Sequence, residues 1–124
     1  MTSPKRDRPN RVYKICDRNA WELARAQGRY LGSRDDTRDG FIHLSAPDQV
    51  AETLERHFTG QDDLLLIGVD VRQLGEALRW EPSRRGTLFP HLYQPLDLAA
   101  VISEVPLLRS ASGRYQLPDD LTPC

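Results

Sequence analysis

Long apolar runs are missing from this sequence. The longest uninterrupted one, Leu64 to Val69, falls far short of the ~20 residues a membrane-spanning helix needs. The opening stretch "MTSPKRDRPNR" has no apolar core, so it does not read as a secretory signal, and the cytoplasm is the expected compartment. Cysteine is scarce. Cys16 and Cys124 are the two present, neither belongs to a CxxC pair, and no disulfide framework or zinc-finger spacing follows from them. Charge of one sign is lacking as well. A formal net charge of −1 supplies no field for a generic nucleic-acid partner. No glycine-rich nucleotide loop, P-loop or nucleophile elbow occurs. The 3 histidines show no i, i+2 or i, i+4 pairing, so no metal site is expected.

What is present fits one domain. A chain of 124 residues can bury one core and is too short for two ordinary ones. The reading is a disordered lead-in over 1–10, a single domain over 11–109 and a C-terminal surface tail over 110–124. "RVYKICD" (11–17) alternates as a strand, with Tyr13 and Ile15 on one face and Val12, Lys14 and Cys16 on the other. "RNAWELARAQG" follows as a helix with Trp21 and Leu23–Ala24 inward and Gly28 as its stop. Residues 29–39 read as a polar loop carrying Tyr30, and 40–45 as a second strand.

The segment "APDQVAETLERHFTG" is the clearest helix. Val50, Leu54 and Phe58 form one stripe, Ser45 and Asp48 resemble a capping box, and Gly60 ends it. "DLLLIGVD" (63–70) reads as a strand covered on both faces. A helical turn, a short strand over 78–81, an extended "TLFPHLY" and a last strand over 99–108, cut short by Pro106, complete the domain. Helices early and strands late argue for an α+β fold.

Two Phe-x-His segments carry the chemistry. By strand alternation, Phe41, His43 and Ser45 share one face, and Phe89, His91 and Tyr93 share another. A mixed aromatic and polar face is what a ligand pocket offers. His43, at a strand end before a helix, could meet an anion or a ribose hydroxyl; the alternative is a core histidine. Pro90 marks an edge or irregular strand beside His91. Upstream, "WEPSRRG" supplies Glu81 and Ser83. Glu81 closes a strand after Trp80, so partial burial would raise its pKa; the plainer alternative is an ion pair with an arginine. Of the 17 basic side chains two are lysines, Lys5 and Lys14. Lys14 could be a point charge for an anion, or could sit on the solvent face of an edge strand.

"VYKI", "DGFIHLS", "DLLLI", "LRWE" and "LFPHLY", in this order over residues 12–105, resemble the small bacterial family catalogued as domain of unknown function 952. The resemblance implies an ADP-ribosyltransferase-like fold: a split, mostly antiparallel sheet with two early helices and a cleft for NAD. Transferases of that fold carry a His or Arg on the first strand, a Tyr or Ser on the second and a Glu late in the sheet. At the corresponding places here the first strand offers Tyr13 and Lys14, the second His43 and Ser45, and the late segments Glu81 or His91, which do not reproduce that triad. Two functions stay open. One is an enzyme acting on an NAD-like or phosphorylated nucleotide, with Glu81 and His91 catalytic and His43, Ser45, Lys14, Tyr30, Ser83 and Tyr93 holding the ligand. The other is a non-catalytic ligand-binding or protein-interaction module. A small-molecule ligand is the expected partner in the first, with neither nucleic acid nor membrane.

Overall fold

A computed structural model gives the architecture and describes residues 9–83, 86–118 and 121. The strand β1 (Arg11–Asp17) pairs antiparallel along its whole length with β4 (Leu64–Asp70), which pairs on its other side with β8 (Val101–Arg109). β9 (Tyr115–Gln116) adds to the far edge of β8. A second sheet runs in the order β3 (Ile42–His43), β6 (Leu88–Leu92), β5 (Leu78–Pro82). A two-stranded ribbon, β2 (Arg29–Tyr30) with β7 (Leu96–Asp97), completes a set of antiparallel pairings. The helices are α1 (Arg18–Gln27), α2 (Arg34–Asp39) and α3 (Val50–His57). The α+β expectation holds.

In the main sheet β4 is buried on both faces, its positions Leu64 to Val69 having no charged or hydrogen-bonding side chain. Val12, Cys16, Leu65, Ile67 and Val69 join Trp21 and Ala24 of α1 in one core; Tyr13, Ile15, Leu64 and Leu66 join Val50 and Leu54 of α3 in the other. This is why "LLLIGV" shows no polar alternation. Cys16 is free, and burial pushes its thiol up to about 12. Cys124 lies outside the described residues.

The two larger sheets meet at one junction. β3 ends its pairing with β6 at His43, and two residues later the chain reaches β1, where Tyr13 and Ser45 exchange N–H···O bonds of 2.8 Å in each direction. Leu44 N–H still donates to Pro90 O at 3.0 Å.

Several expectations need correction. The polar stretch 29–39 is not a loop: it holds β2 and α2, so three helices stand among the described residues where two were expected. α2 forms despite its charge because Ser33 and Asp36 make a reciprocal capping box, Ser33 Oγ accepting from Asp36 N and Asp36 Oδ2 from Ser33 N. Gly32 precedes it at φ +109°, and a Cβ there would come within 2.8 Å of Asp36 Cβ. The Ser45–Asp48 capping box does not form. Ser45 Oγ meets Thr53 Oγ1 at 3.1 Å, and Gln49 Oε1 takes the Ala46 N–H instead, at the head of a 3₁₀ turn over Pro47–Gln49. Leu23 faces solvent at 60% exposure. Pro106 does not end the last strand; it lies within β8 opposite Leu65, where β9 leaves that edge open.

The lead-in falls mostly outside the described residues, as do Arg84 and Arg85. The C-terminal segment is docked where it is described. Tyr115 donates its hydroxyl to the backbone carbonyls of Phe58 and Gln61, and Leu121 is buried in the second core. Leu121→Ala is therefore expected to cost about 2–3 kcal/mol in urea unfolding. A cost under about 0.5 kcal/mol would mean that this segment is not part of the core.

Candidate functional site

The junction opens a cleft of about 310 Å³ lined from both sheets and from α2 and α3. Antiparallel pairing puts His43 directly opposite His91, with ring centroids 5.7 Å apart. Phe41 packs beside both, 4.6 Å from His43 and stacked on His91 at 4.0 Å and 23°. The two Phe-x-His segments thus meet in one place.

Each histidine is held by a carboxylate from a different element. His43 Nδ1 lies 2.6 Å from Asp36 Oδ1, and its Nε2 lies 3.0 Å from Asp39 Oδ2. Asp36, 2% exposed, also takes Lys14 Nζ at 2.8 Å, Ser33 N at 2.8 Å and His43 N at 3.0 Å. Burial pushes the Asp36 carboxyl up. The His43 hydrogen bond, the charge and hydrogen bond of Lys14 and the Ser33 N–H more than offset this and hold it well below the usual carboxylate range. Lys14 spends a second hydrogen on His43 O at 3.1 Å. It is buried in an ion pair, not placed on a solvent face, because α2 covers it.

His91 Nδ1 lies 2.9 Å from Glu81 Oε1, which also accepts the Tyr93 hydroxyl at 2.6 Å. Glu81 is not raised by burial as expected. The hydrogen bonds from Tyr93 and then His91 lower it, against a smaller effect of burial. Arg79 approaches this group from the side, over the Tyr93 ring at 5.0 Å.

Lys14, His43, Ser45, Ser83 and His91 line the cleft. Glu81 and Tyr93 do not; they stand behind His91, with Tyr93 at a shallower cavity on the far side of Phe41. Tyr30 is not brought to the cleft. It is 3% exposed and packed on Trp21 at 5.8 Å, and burial pushes its hydroxyl up. Asp36, Asp39 and Thr53 escaped the sequence reading. The Ser33-x-x-Asp36 capping pattern, with Asp39 one turn on, was the available signal. Among the described residues no group of three or more His, Cys, Asp or Glu is placed to hold a metal ion, and no helix is long and apolar enough to cross a membrane.

Comparison with known proteins places the fold and not an activity. A family model described as protein of unknown function DUF952 matches residues 15–104. The chain is similar to protein CC0527 of Caulobacter crescentus, a structural-genomics target. Against its crystal structure the identity is 50% and the TM-score 0.84, covering 90% of this chain and 97% of that one. Against its solution NMR structure the values are 48% and 0.79, covering 87% and 93%. No curated protein matches.

Asp36→Asn leaves Lys14 buried without its counter-charge and is expected to cost about 3–5 kcal/mol at pH 7. Because the native Asp36 carboxyl is held below its ordinary 3.8, its stabilisation is complete above that pH and fades as pH falls below it. The gap between wild type and Asp36→Asn should therefore shrink by about 1 kcal/mol at pH 3. Denaturant unfolding at both pH values reads this, and a constant gap would rule out the ionised carboxylate as the source.

Proposed function

We start from a chain that belongs to the DUF952 family of proteins of unknown function, and we propose that its junction cleft binds an NAD-like or phosphorylated nucleotide. On this reading the protein is a divergent ADP-ribosyl- or phosphate-transferring enzyme. The observation that carries it is the facing pair His43 and His91, each held at Nδ1 by a carboxylate and both lining one cleft. An orienting carboxylate is what a histidine needs for proton transfer. The sheet that divides at Tyr13–Ser45 supports an ADP-ribosyltransferase-like scaffold, on which a nucleotide lies across the division.

The roles follow from position. Ser45, Ser83 and Thr53 offer hydroxyls to ribose or phosphate oxygens. Lys14 lies beneath the cleft and offsets the Asp36 charge through the pair it makes with it. His43 reaches the ligand from β3 and His91 from β6. Glu81, set behind His91, works through that ring and not on the ligand.

A second reading has its own support. His43 has both ring nitrogens facing carboxylates, an arrangement that suits a fixed binding surface as well as a reacting group. A module that binds its ligand and returns it intact uses the same cleft.

The test is ligand-observed NMR with NAD, ADP-ribose and phosphorylated nucleotides on wild type, His43→Ala and His43→Gln, with a thermal melt of each. Saturable binding is expected, weakened at least about tenfold in folded His43→Ala, equivalent to ~1.4 kcal/mol. His43→Gln keeps a partner for Asp36 and reports on the cleft if His43→Ala does not fold. Absence of binding by folded wild type sinks the nucleotide assignment. Chemical recovery of the bound nucleotide then separates the binding module, which leaves it intact, from the enzyme.

A further inference from the structure

Resting on that cleft assignment, we propose that Glu81 and Tyr93 are positioning residues that hold His91 as the Nδ1–H tautomer, with its Nε2 lone pair as the proton acceptor. The two histidines are not equivalent. His43 has a carboxylate at each ring nitrogen, Asp36 at 2.6 Å and Asp39 at 3.0 Å. His91 has one, Glu81 at 2.9 Å on Nδ1, and among the described residues none bonds its Nε2.

The chain of donors runs one way. Tyr93 O–H donates to Glu81 Oε1 at 2.6 Å, and an ionised carboxylate can only accept. Both the Tyr93 and the His91 hydrogen bonds hold the Glu81 carboxyl below its ordinary value. The hydrogen between Glu81 and His91 therefore belongs to Nδ1. In a neutral ring the other nitrogen is then the acceptor.

The geometry is fixed by backbone and by packing. In the β5–β6 ladder Glu81 stands opposite Phe89 and Arg79 opposite His91, so Glu81 reaches His91 on the diagonal. Phe41 lies flat on the imidazole, which prevents the ring from turning its free nitrogen away. His91 itself is 5% exposed, so its edge meets the cleft and little else.

The step this allows is a proton transfer. The O–H bond of a ribose hydroxyl or of water in the cleft breaks, an N–H bond forms at His91 Nε2, and the positive charge left on the ring faces the Glu81 carboxylate. The hydroxyl oxygen keeps the electron pair and becomes the nucleophile.

A neutral imidazole in water favours the opposite tautomer, Nε2–H, so the proposal has a spectroscopic signature. Long-range ¹H–¹⁵N correlation spectra of labelled protein at about pH 8.5, above the ordinary histidine range, read it without any ligand. Wild type is expected to show His91 as Nδ1–H. Glu81→Ala should revert it to Nε2–H, and Glu81→Gln, which keeps an acceptor oxygen, should restore it. Nε2–H in wild type, or no change in folded Glu81→Ala, overturns the proposal. With a nucleotide that is turned over, Glu81→Ala is expected to lower kcat at least about tenfold with KM kept within about twofold. An unchanged kcat also overturns it. Failure of every nucleotide probe to bind would remove the cleft assignment and leave the tautomer result standing, so the two failures are distinguishable.

Discussion

The buried carboxylate of Asp36 ties the structure together. It is the point where α2, β1 and β3 meet, through Ser33 N, Lys14 Nζ and both the backbone and ring nitrogens of His43. A carboxylate this deep is costly unless its lone pairs are filled, and here four donors fill them. The cost of burying charge is thereby converted into a constraint. α2 is only six residues long and has no apolar stripe to dock with, so an ionic anchor does what packing does for α1 and α3.

That anchor shapes the cleft. It fixes the His43 ring at Nδ1 and sets Lys14 against the Asp36 charge from below, while Arg38 pairs with Asp35 and Asp39 on the α2 side. On the opposite wall the partner of His91 comes from β5, in a half-exposed setting, and is set by hydrogen bonds more than by burial. Two superficially similar Phe-x-His segments therefore present different chemistry, one ring engaged at both nitrogens and one at a single nitrogen. Phe41 is shared by both and holds them at a fixed separation.

Much of the fold was legible in the residues. β1, α1, α3 and β4 follow from periodicity because their burial is one-sided or complete, and hydrophobic spacing reports that directly. α2 was not, since a helix stabilised by capping and an ion pair leaves no apolar period to detect. Pro106 misled for a related reason: a proline ends a strand only where its missing N–H would have been paired, and the open edge of β8 makes no such demand. The tail over 110–124 looked polar enough to be free, yet Tyr115 and Leu121 suffice to dock what is described of it.

The α+β class, the doubly covered strand β4, the family resemblance and the two histidine-bearing segments could be read from the residues alone, because each is carried by local pattern. Packing across the fold settled that Lys14 is buried, that Tyr30 is core, that Asp36 and Asp39 grip His43, and that Glu81 stands behind His91 instead of lining the cleft. Those facts depend on cross-strand register and on which polar groups lose water together. Tertiary contact joins residues 22 to 29 positions apart, as in Lys14 with Asp36 and His43. Desolvation is a property of the assembled core, and no window of neighbouring residues contains it.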